Sequence, residues 1–480
     1  MSALKPDTAT SKPVKEEDNT TAPAKKKKKK KGKIPGINNV LYHKNGVREY
    51  IYGFPIHGMA TGKSRYPNLS KSSVVVLVGG GGSTKSGIQN SIQINGCEID
   101  KDGTLGMKQL LNYDCGDLIS NITISKDGQL IACSIGGECR LYKFRRGDEV
   151  KINQIGQWKS DFHTSYPCIN VLNFNGSGTK LVTGGDDNVV KVYHLELVDN
   201  KKFAVSTAVK LEGHKRAVLD AKFSPVGNLL ATSSRDGKCI IWKLNSNKTS
   251  NSNNKDDDHN DASYSICTTL NASEIKQKFG ESMKDARKRG QPFFNCLQWS
   301  QTKNCTYLYG VECTKRGPST LVQWKVKIKQ VAFKEISRTK LTKDPICSLS
   351  VSGNGKLIVV GDSKGFVQLL NVNLVTSDVE ILGTTGKNVH SLAITGVDFV
   401  KLENNKYVPI ACSPDSTSTV LPFDENFQNV FEEGGNMILY LILGIFTIFM
   451  LVLLIGLVYF PEHELMINAR EMGKEFGIEL

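Results

Sequence analysis

The chain has 480 residues, 39% hydrophobic and 23% charged, with 44 glycines and an aromatic share of 8%. This apolar content excludes a wholly disordered chain, and the glycine and aromatic usage fits a turn-rich β protein better than a helical bundle. The formal net charge of +15 is concentrated at the N-terminus, where residues 1–34 hold eleven lysines against four carboxylates; the high pI therefore implies no nucleic-acid-binding core.

Residues 1–47 read as a disordered, lysine-rich tail without the apolar stretch of a secretory signal. The seven consecutive lysines Lys25–Lys31 suit contact with an anionic lipid leaflet; a solvated tail is the plainer alternative.

Next comes VVVLVGGGGSTKSGIQNSIQI, Val74 to Ile94, in which an apolar run feeds four glycines, Gly79, Gly80, Gly81 and Gly82. A strand, glycines and a Lys-Ser pair resemble a phosphate-cradling loop, G-x-x-x-x-G-K-[ST]. Counted from Gly79, however, the second glycine falls on Thr84, and the residues that follow alternate like a strand instead of opening a helix. The same glycines allow different chemistry: residues without Cβ can turn their carbonyls inward, and such oxygens replace the hydration shell of a large monovalent cation. Asn90 adds an amide that donates and accepts. A flexible loop with no ligand stays open on these residues alone.

Four stretches then share one pattern of apolar alternation, turn, short apolar run, second turn and closing strand: 122–144, 172–195, 221–244 and 348–372. Their first turns centre on Gly128, Gly178, Gly227 and Gly355, their second on Gly137, Asn188, Gly237 and Gly365; Gly or Asn suits positions where φ is positive. Gly213-His214 and Ile241-Trp242-Lys243 resemble the GH…WD signature of WD-repeat blades. Weaker copies cover Val74–Ile94, Phe293–Val326 and Val389–Phe423. The expected architecture is all-β, a seven-bladed WD-repeat-type β-propeller over residues 48–425, with six or eight blades as alternatives. A polar insert, 245–290, is set outside the ring as a low-complexity loop followed by a short basic helix.

Met437 to Phe460 is 24 residues without a charge, long enough as a helix, roughly 36 Å, to cross a bilayer once. Residues 461–480 then form a short lumenal tail and the preceding domain stays cytosolic, an orientation that overrides a weak opposing positive-inside signal from Arg470 and Lys474. Twelve cysteines without a CxxC pair read as buried thiols of a reducing compartment.

The glycine loop GGGGSTKSGIQNSI, the last-blade segment VHSLAITGV (389–397) and the apolar C-terminal span together resemble the endoplasmic-reticulum exchange factors for the Sar-type small GTPase, which start COPII vesicle coats in ER–Golgi transport. The similarity runs over roughly residues 48–462 and leaves out the lysine tail and the insert. It implies a guanine nucleotide exchange factor, with no covalent catalysis and no nucleic-acid partner. It implies a potassium ion held by the carbonyls of Gly79–Gly82 with Asn90. Asn90 then acts in nucleotide release, with Ile88 beside it in the motif. It also implies residence in the ER membrane. His390 and Thr395 read as blade-stabilising hydrogen-bonding residues. The competing reading is a membrane-tethered WD-repeat scaffold without exchange activity.

Overall fold

The computed structural model describes residues 37–42, 47–63, 73–82, 84–100, 104–145, 149–197, 203–206, 208–245, 263–273, 290–303, 305–385, 389–402 and 406–421. Among them the secondary structure is β-strand throughout, apart from one 3-10 turn, Thr84–Ser86.

Strands β1 (Ile37–Tyr42) and β2 (Arg48–Tyr52) come first in the chain but belong to the last sheet. Blade I is β3 (Ile56–Lys63), β4 (Ser73–Gly79), β5 (Ser91–Ile99) and β6 (Leu105–Asp114). Blade II is β7 (Asn121–Ile124), β8 (Leu130–Ile135), β9 (Glu138–Arg145) and β10 (Lys151–Lys159). Blade III is β11 (Ile169–Phe174), β12 (Lys180–Gly185) and β13 (Val190–Leu197), edged by the short β14 (Phe203–Val205) and β15 (Val209–Leu211). Blade IV is β16 (Val218–Phe223), β17 (Leu229–Ser234), β18 (Lys238–Asn245) and β19 (Ser263–Asn271). Blade V is β20 (Phe293–Gln301), β21 (Thr306–Cys313), β22 (Thr320–Lys327) and β23 (Ala332–Lys340). Blade VI is β24 (Ile346–Val351), β25 (Leu357–Asp362), β26 (Val367–Val372) and β27 (Val379–Thr384). Blade VII takes β28 (Gly396–Lys401), β29 (Tyr407–Ser413) and β30 (Thr417–Val420) and is completed by β2 and β1.

Seven antiparallel sheets thus confirm the seven-bladed propeller. Each innermost strand neighbours the innermost strands of the blades on either side, including β28 beside β3, so the ring is closed. The core follows the same geometry. Seven apolar clusters among the described residues lie one to each blade interface, from Leu77, Ile410 and Val420 between blades VII and I to Val359, Leu369 and Phe399 between VI and VII. Each fully buried Val, Leu or Ile there contributes about 1.5–3 kcal/mol, which is how a sheet that cannot cover both faces alone becomes stable.

Two boundaries move. The last sheet reaches back to Ile37, eleven residues ahead of the expected start at 48, because β1 adds an outer strand to β2 through Tyr42–Arg48 and Val40–Tyr50 pairing. The insert expected over 245–290 holds β19, paired to β18 from Asn245–Ser263 to Lys238–Asn271. Its sequence, SYSICTTLN, lacks apolar alternation because both of its faces are largely exposed; an outer strand needs backbone pairing more than a core face. The remainder of the insert, the span expected over 437–460, the tail 461–480 and Lys25–Lys31 lie outside the described residues. Among the described residues no helix is long and apolar enough to cross a membrane.

Three of the blades tie buried polar groups into short networks. In blade IV, Trp242 Nε1 donates to Thr232 Oγ1 (2.8 Å), His214 Nε2 hydrogen-bonds the same hydroxyl (2.9 Å), and His214 Nδ1 meets Asp236 Oδ2 (3.3 Å). Burial alone would raise the Asp236 carboxyl, but His214 and the amides of Lys215 and Lys238 together hold it down at about 2. Blade III builds the same brace from other residues, with Tyr193 donating to Ser160 Oγ (2.8 Å), which bonds Thr183 Oγ1 (2.6 Å). In blade VII, His390 bonds Thr417 (2.6 Å) and Thr419 (3.1 Å). All twelve cysteines are free thiols, eight of them buried. Burial pushes Cys97, Cys115 and Cys412 up to about 12, which leaves them as neutral packing groups.

Candidate functional site

In a four-stranded antiparallel blade, the second-to-third-strand turn and the crossover to the next blade emerge at one end, here the upper rim. The first-to-second and third-to-fourth connections emerge at the other, the lower rim. The tetraglycine segment joins β4 to β5 and so lies on the upper rim of blade I.

Glycine is needed here for steric reasons. A Cβ on Gly79 would collide with the Pro55 carbonyl oxygen, one on Gly80 with Asn90 Oδ1, and one on Gly81 with Ser86 Oγ. Gly80 and Gly82 also take φ of +147° and +77°, which side chains rarely adopt. The chain is thereby pressed against two neighbours: Gly80 N donates to Pro55 O (3.0 Å) ahead of β3, and the loop folds over Asn90.

Asn90 holds this fold together. Its Oδ1 accepts from Gly82 N (3.0 Å), and its Nδ2 donates to Gly82 O (2.9 Å) and to Gly116 O (2.9 Å). Its own carbonyl accepts from Cys115 N (3.1 Å), and its side chain is buried, 4% exposed. The amide is therefore a clasp between the glycine loop and the connection leaving blade I, with one Nδ2 bond spent on each. That connection is held from blade II by Arg140, whose Nη1 donates to Cys115 O (3.2 Å) and whose Nη2 donates to Asp117 Oδ2 (2.6 Å).

Beyond the clasp the loop turns outward. The 3-10 turn Thr84–Ser86 leads to Gly87 at φ +71°, and the Ile88 amide donates to Ser86 Oγ (3.2 Å). Lys85, Ser86, Gly87 and Ile88 are exposed, Ile88 by 38% despite its apolar side chain, and Gln89 is half-buried. Ser83 lies outside the described residues. The exposed part of the loop is a short ridge, basic at Lys85 and apolar at Ile88, above a base tied by the Asn90 bonds.

The donor set can be tested against a potassium ion. Backbone carbonyls are the ligand type a large monovalent cation takes, and Gly79–Gly81 let the chain pack against Pro55 O, Asn90 Oδ1 and Ser86 Oγ with no room left for a Cβ. The Gly82 carbonyl already accepts from Asn90 Nδ2, so Asn90 holds the backbone of this segment directly. In donor chemistry, backbone and amide oxygens, this segment suits such an ion.

The structure also brings the last-blade segment to this loop. Thr395 Oγ1 donates to Ile56 O (2.9 Å), adjacent to the Pro55 carbonyl that receives Gly80. Two stretches far apart in the chain are thus linked through Pro55-Ile56. Arg140, Asp117, Cys115 and Gly116 were not singled out in the sequence; only Gly116, at φ +75°, carries a turn-residue signal.

The family described as "WD domain, G-beta repeat" matches residues 158–194 and 205–243, the stretches holding the Tyr193 and Trp242 networks. The chain is 22% identical over 244 residues to the "Guanine nucleotide-exchange factor SEC12" of Rattus norvegicus, covering 42% of this chain and 53% of that protein. It is 21% identical over 238 residues to the SEC12 of Mus musculus, with the same coverages. It is also 26% identical over 134 residues to "Elongator complex protein 2" of Arabidopsis thaliana, covering 28% of this chain and 15% of that one. The chain spans about half the length of the SEC12 relatives it matches. The chain is a seven-bladed β-propeller with two stretches that match the WD-repeat model, and it is similar to the guanine nucleotide-exchange factor SEC12.

Proposed function

We propose that this chain is a guanine nucleotide exchange factor for a Sar-type small GTPase, anchored in the endoplasmic-reticulum membrane by residues 437–460 with its propeller in the cytosol. The observation that carries the reading is the Asn90-clasped loop, which presents Lys85 and Ile88 as an exposed ridge on a base fixed by three side-chain hydrogen bonds. The similarity to SEC12 supports it.

An exchange factor needs no covalent step. A surface that binds the nucleotide-free GTPase best must weaken nucleotide binding by the same coupling factor. GTPases of this class hold GDP through phosphate-loop amides and Mg²⁺, so a stiff ridge that disturbs phosphates or metal speeds release. Bound potassium would fix the carbonyls of Gly79–Gly82 and stiffen the loop. Asn90 keeps the loop folded over its base, and Ile88 and Lys85 meet the partner. Lys25–Lys31 contacts anionic lipid near the anchor.

A GDP-release assay tests this. The full chain in detergent should accelerate release from a Sar-type GTPase in K⁺ more than in Na⁺, and Asn90→Ala should abolish the acceleration. No acceleration by the unmodified chain removes the exchange reading. The repeat-level matches, including Elongator complex protein 2, favour a second reading, a membrane-tethered scaffold. A scaffold would capture the GDP-bound and nucleotide-depleted GTPase equally, whereas an exchange factor prefers the depleted form.

A further inference from the structure

We infer that the lower rim of blades V to VII is a docking face for an anionic lipid bilayer. The inference rests on the membrane anchor proposed above. Strand β30 runs from the upper rim at Thr417 to the lower rim at Val420, where Val420 pairs with Arg48 and Leu421 N donates to Pro409 O (3.0 Å). The chain therefore leaves the ring on the side opposite the glycine loop. Residues 422–436 separate this exit from the apolar span, a tether of at most about 50 Å when fully extended. The rim from which so short a tether departs is the one held toward the bilayer.

That rim has the matching charge. Lys303, Lys325, Lys327, Lys329, Lys356 and Lys401 are exposed at the lower ends or lower turns of three consecutive blades, and none is in an ion pair among the described residues. The exposed carboxylates on the lower edge of blade VI are Asp378 and Glu380. Between these lysines the β26–β27 turn puts forward Val375, 93% exposed, an apolar tip suited to the headgroup boundary. Juxtamembrane lysines are attracted to anionic lipid within about a Debye length, roughly 8–10 Å at ordinary salt, so only the rim facing the bilayer gains from it. The upper rim also carries exposed cations, Lys215, Arg216 and Lys364 among them; the exit of the chain distinguishes the two faces.

Docked this way, the propeller stands on the membrane with the glycine loop facing away, open to a soluble partner. The test is lysine acetylation read by mass spectrometry on the full chain reconstituted into phosphatidylcholine vesicles with and without phosphatidylserine. Lys327, Lys329 and Lys356 should be protected several-fold in the anionic vesicles at low salt and exposed again at high salt, while Lys215 and Lys364 label equally in both. Lys327→Glu with Lys329→Glu should erase the protection of Lys356. Equal labelling in both lipids, or protection of the upper rim, overturns the inference. Loss of the chain from vesicles at alkaline pH refutes the anchor, and the docking face with it, before any labelling is done; exchange activity, measured separately in detergent, is untouched by any of these outcomes.

Discussion

Asn90 Nδ2 and the Gly116 carbonyl lie 2.9 Å apart, and this bond joins the glycine loop of blade I to the connection that starts blade II. Net hydrogen bonds are worth about 0.5–1.5 kcal/mol each, and an orphaned buried partner costs more. Asn90→Ala should therefore lose roughly 2–4 kcal/mol in a denaturant melt, and with it the acceleration of GDP release. Unchanged stability would show that the clasp is not formed in solution.

Gly80 and Gly87 both have positive φ, but only Gly80 faces a neighbour where a Cβ would go. Gly87→Ala should cost about 1–2 kcal/mol from backbone strain alone. Gly80→Ala adds a collision with Asn90 and should be the more damaging, in melting temperature and in potassium dependence of exchange. Equal melting temperatures for the two variants would count against the packed loop.

Ile88 is an exposed apolar side chain outside every described apolar cluster. Ile88→Ala should leave stability within about 0.5 kcal/mol yet slow GDP release, read from the same preparation. Full exchange activity in this variant would move the contact elsewhere on the rim.

The Asp236 carboxyl, held at about 2 in the fold, lies below its unfolded value near 3.9. A depressed carboxylate contributes stability that is complete above the unfolded value and fades as pH falls through 4 toward 2. Asp236→Asn should therefore lower unfolding free energy at pH 6 and flatten the acid limb between pH 4 and 2. Parallel acid limbs for the two proteins would show that His214 and the loop amides do not hold this group.

Among the thiols, only Cys267 and Cys347 are exposed. Ellman's reagent should modify Cys267 first in the native chain, Cys347 more slowly because burial of its sulfur pushes the thiol up to about 11, and the buried eight only on unfolding. Fast reaction of Cys133 or Cys139 would contradict the packing between blades I, II and III.

The inner three strands of four blades were legible in the sequence because they face a core on both sides and turn through residues with positive φ. Gly128, Gly178, Gly227 and Gly355 all adopt it, as do Asn188, Gly237 and Gly365; in blade II the turn residue is Gly136, next to the expected Gly137. Outer strands were not legible: β19 and β23 are mostly exposed, so no apolar period marks them. At the site, the sequence picked out the glycines and Asn90, which belong together. It could not show that Asn90 points inward, because an amide clasp and an amide offered to a partner are the same letter. Arg140 escaped notice for a similar reason, as one alternating strand residue whose partners belong to a different blade.

The pairing of Arg48–Ile51 with Thr417–Val420 has a consequence for vectorial synthesis. Translation delivers the first of these segments early and the second only after every other blade has emerged. Throughout that interval the nascent chain carries an open sheet edge, the kind of surface that recruits stray strands. Chaperone shielding of the residues around Tyr50 should therefore matter most before residue 420 leaves the ribosome, since the last sheet can be completed only then.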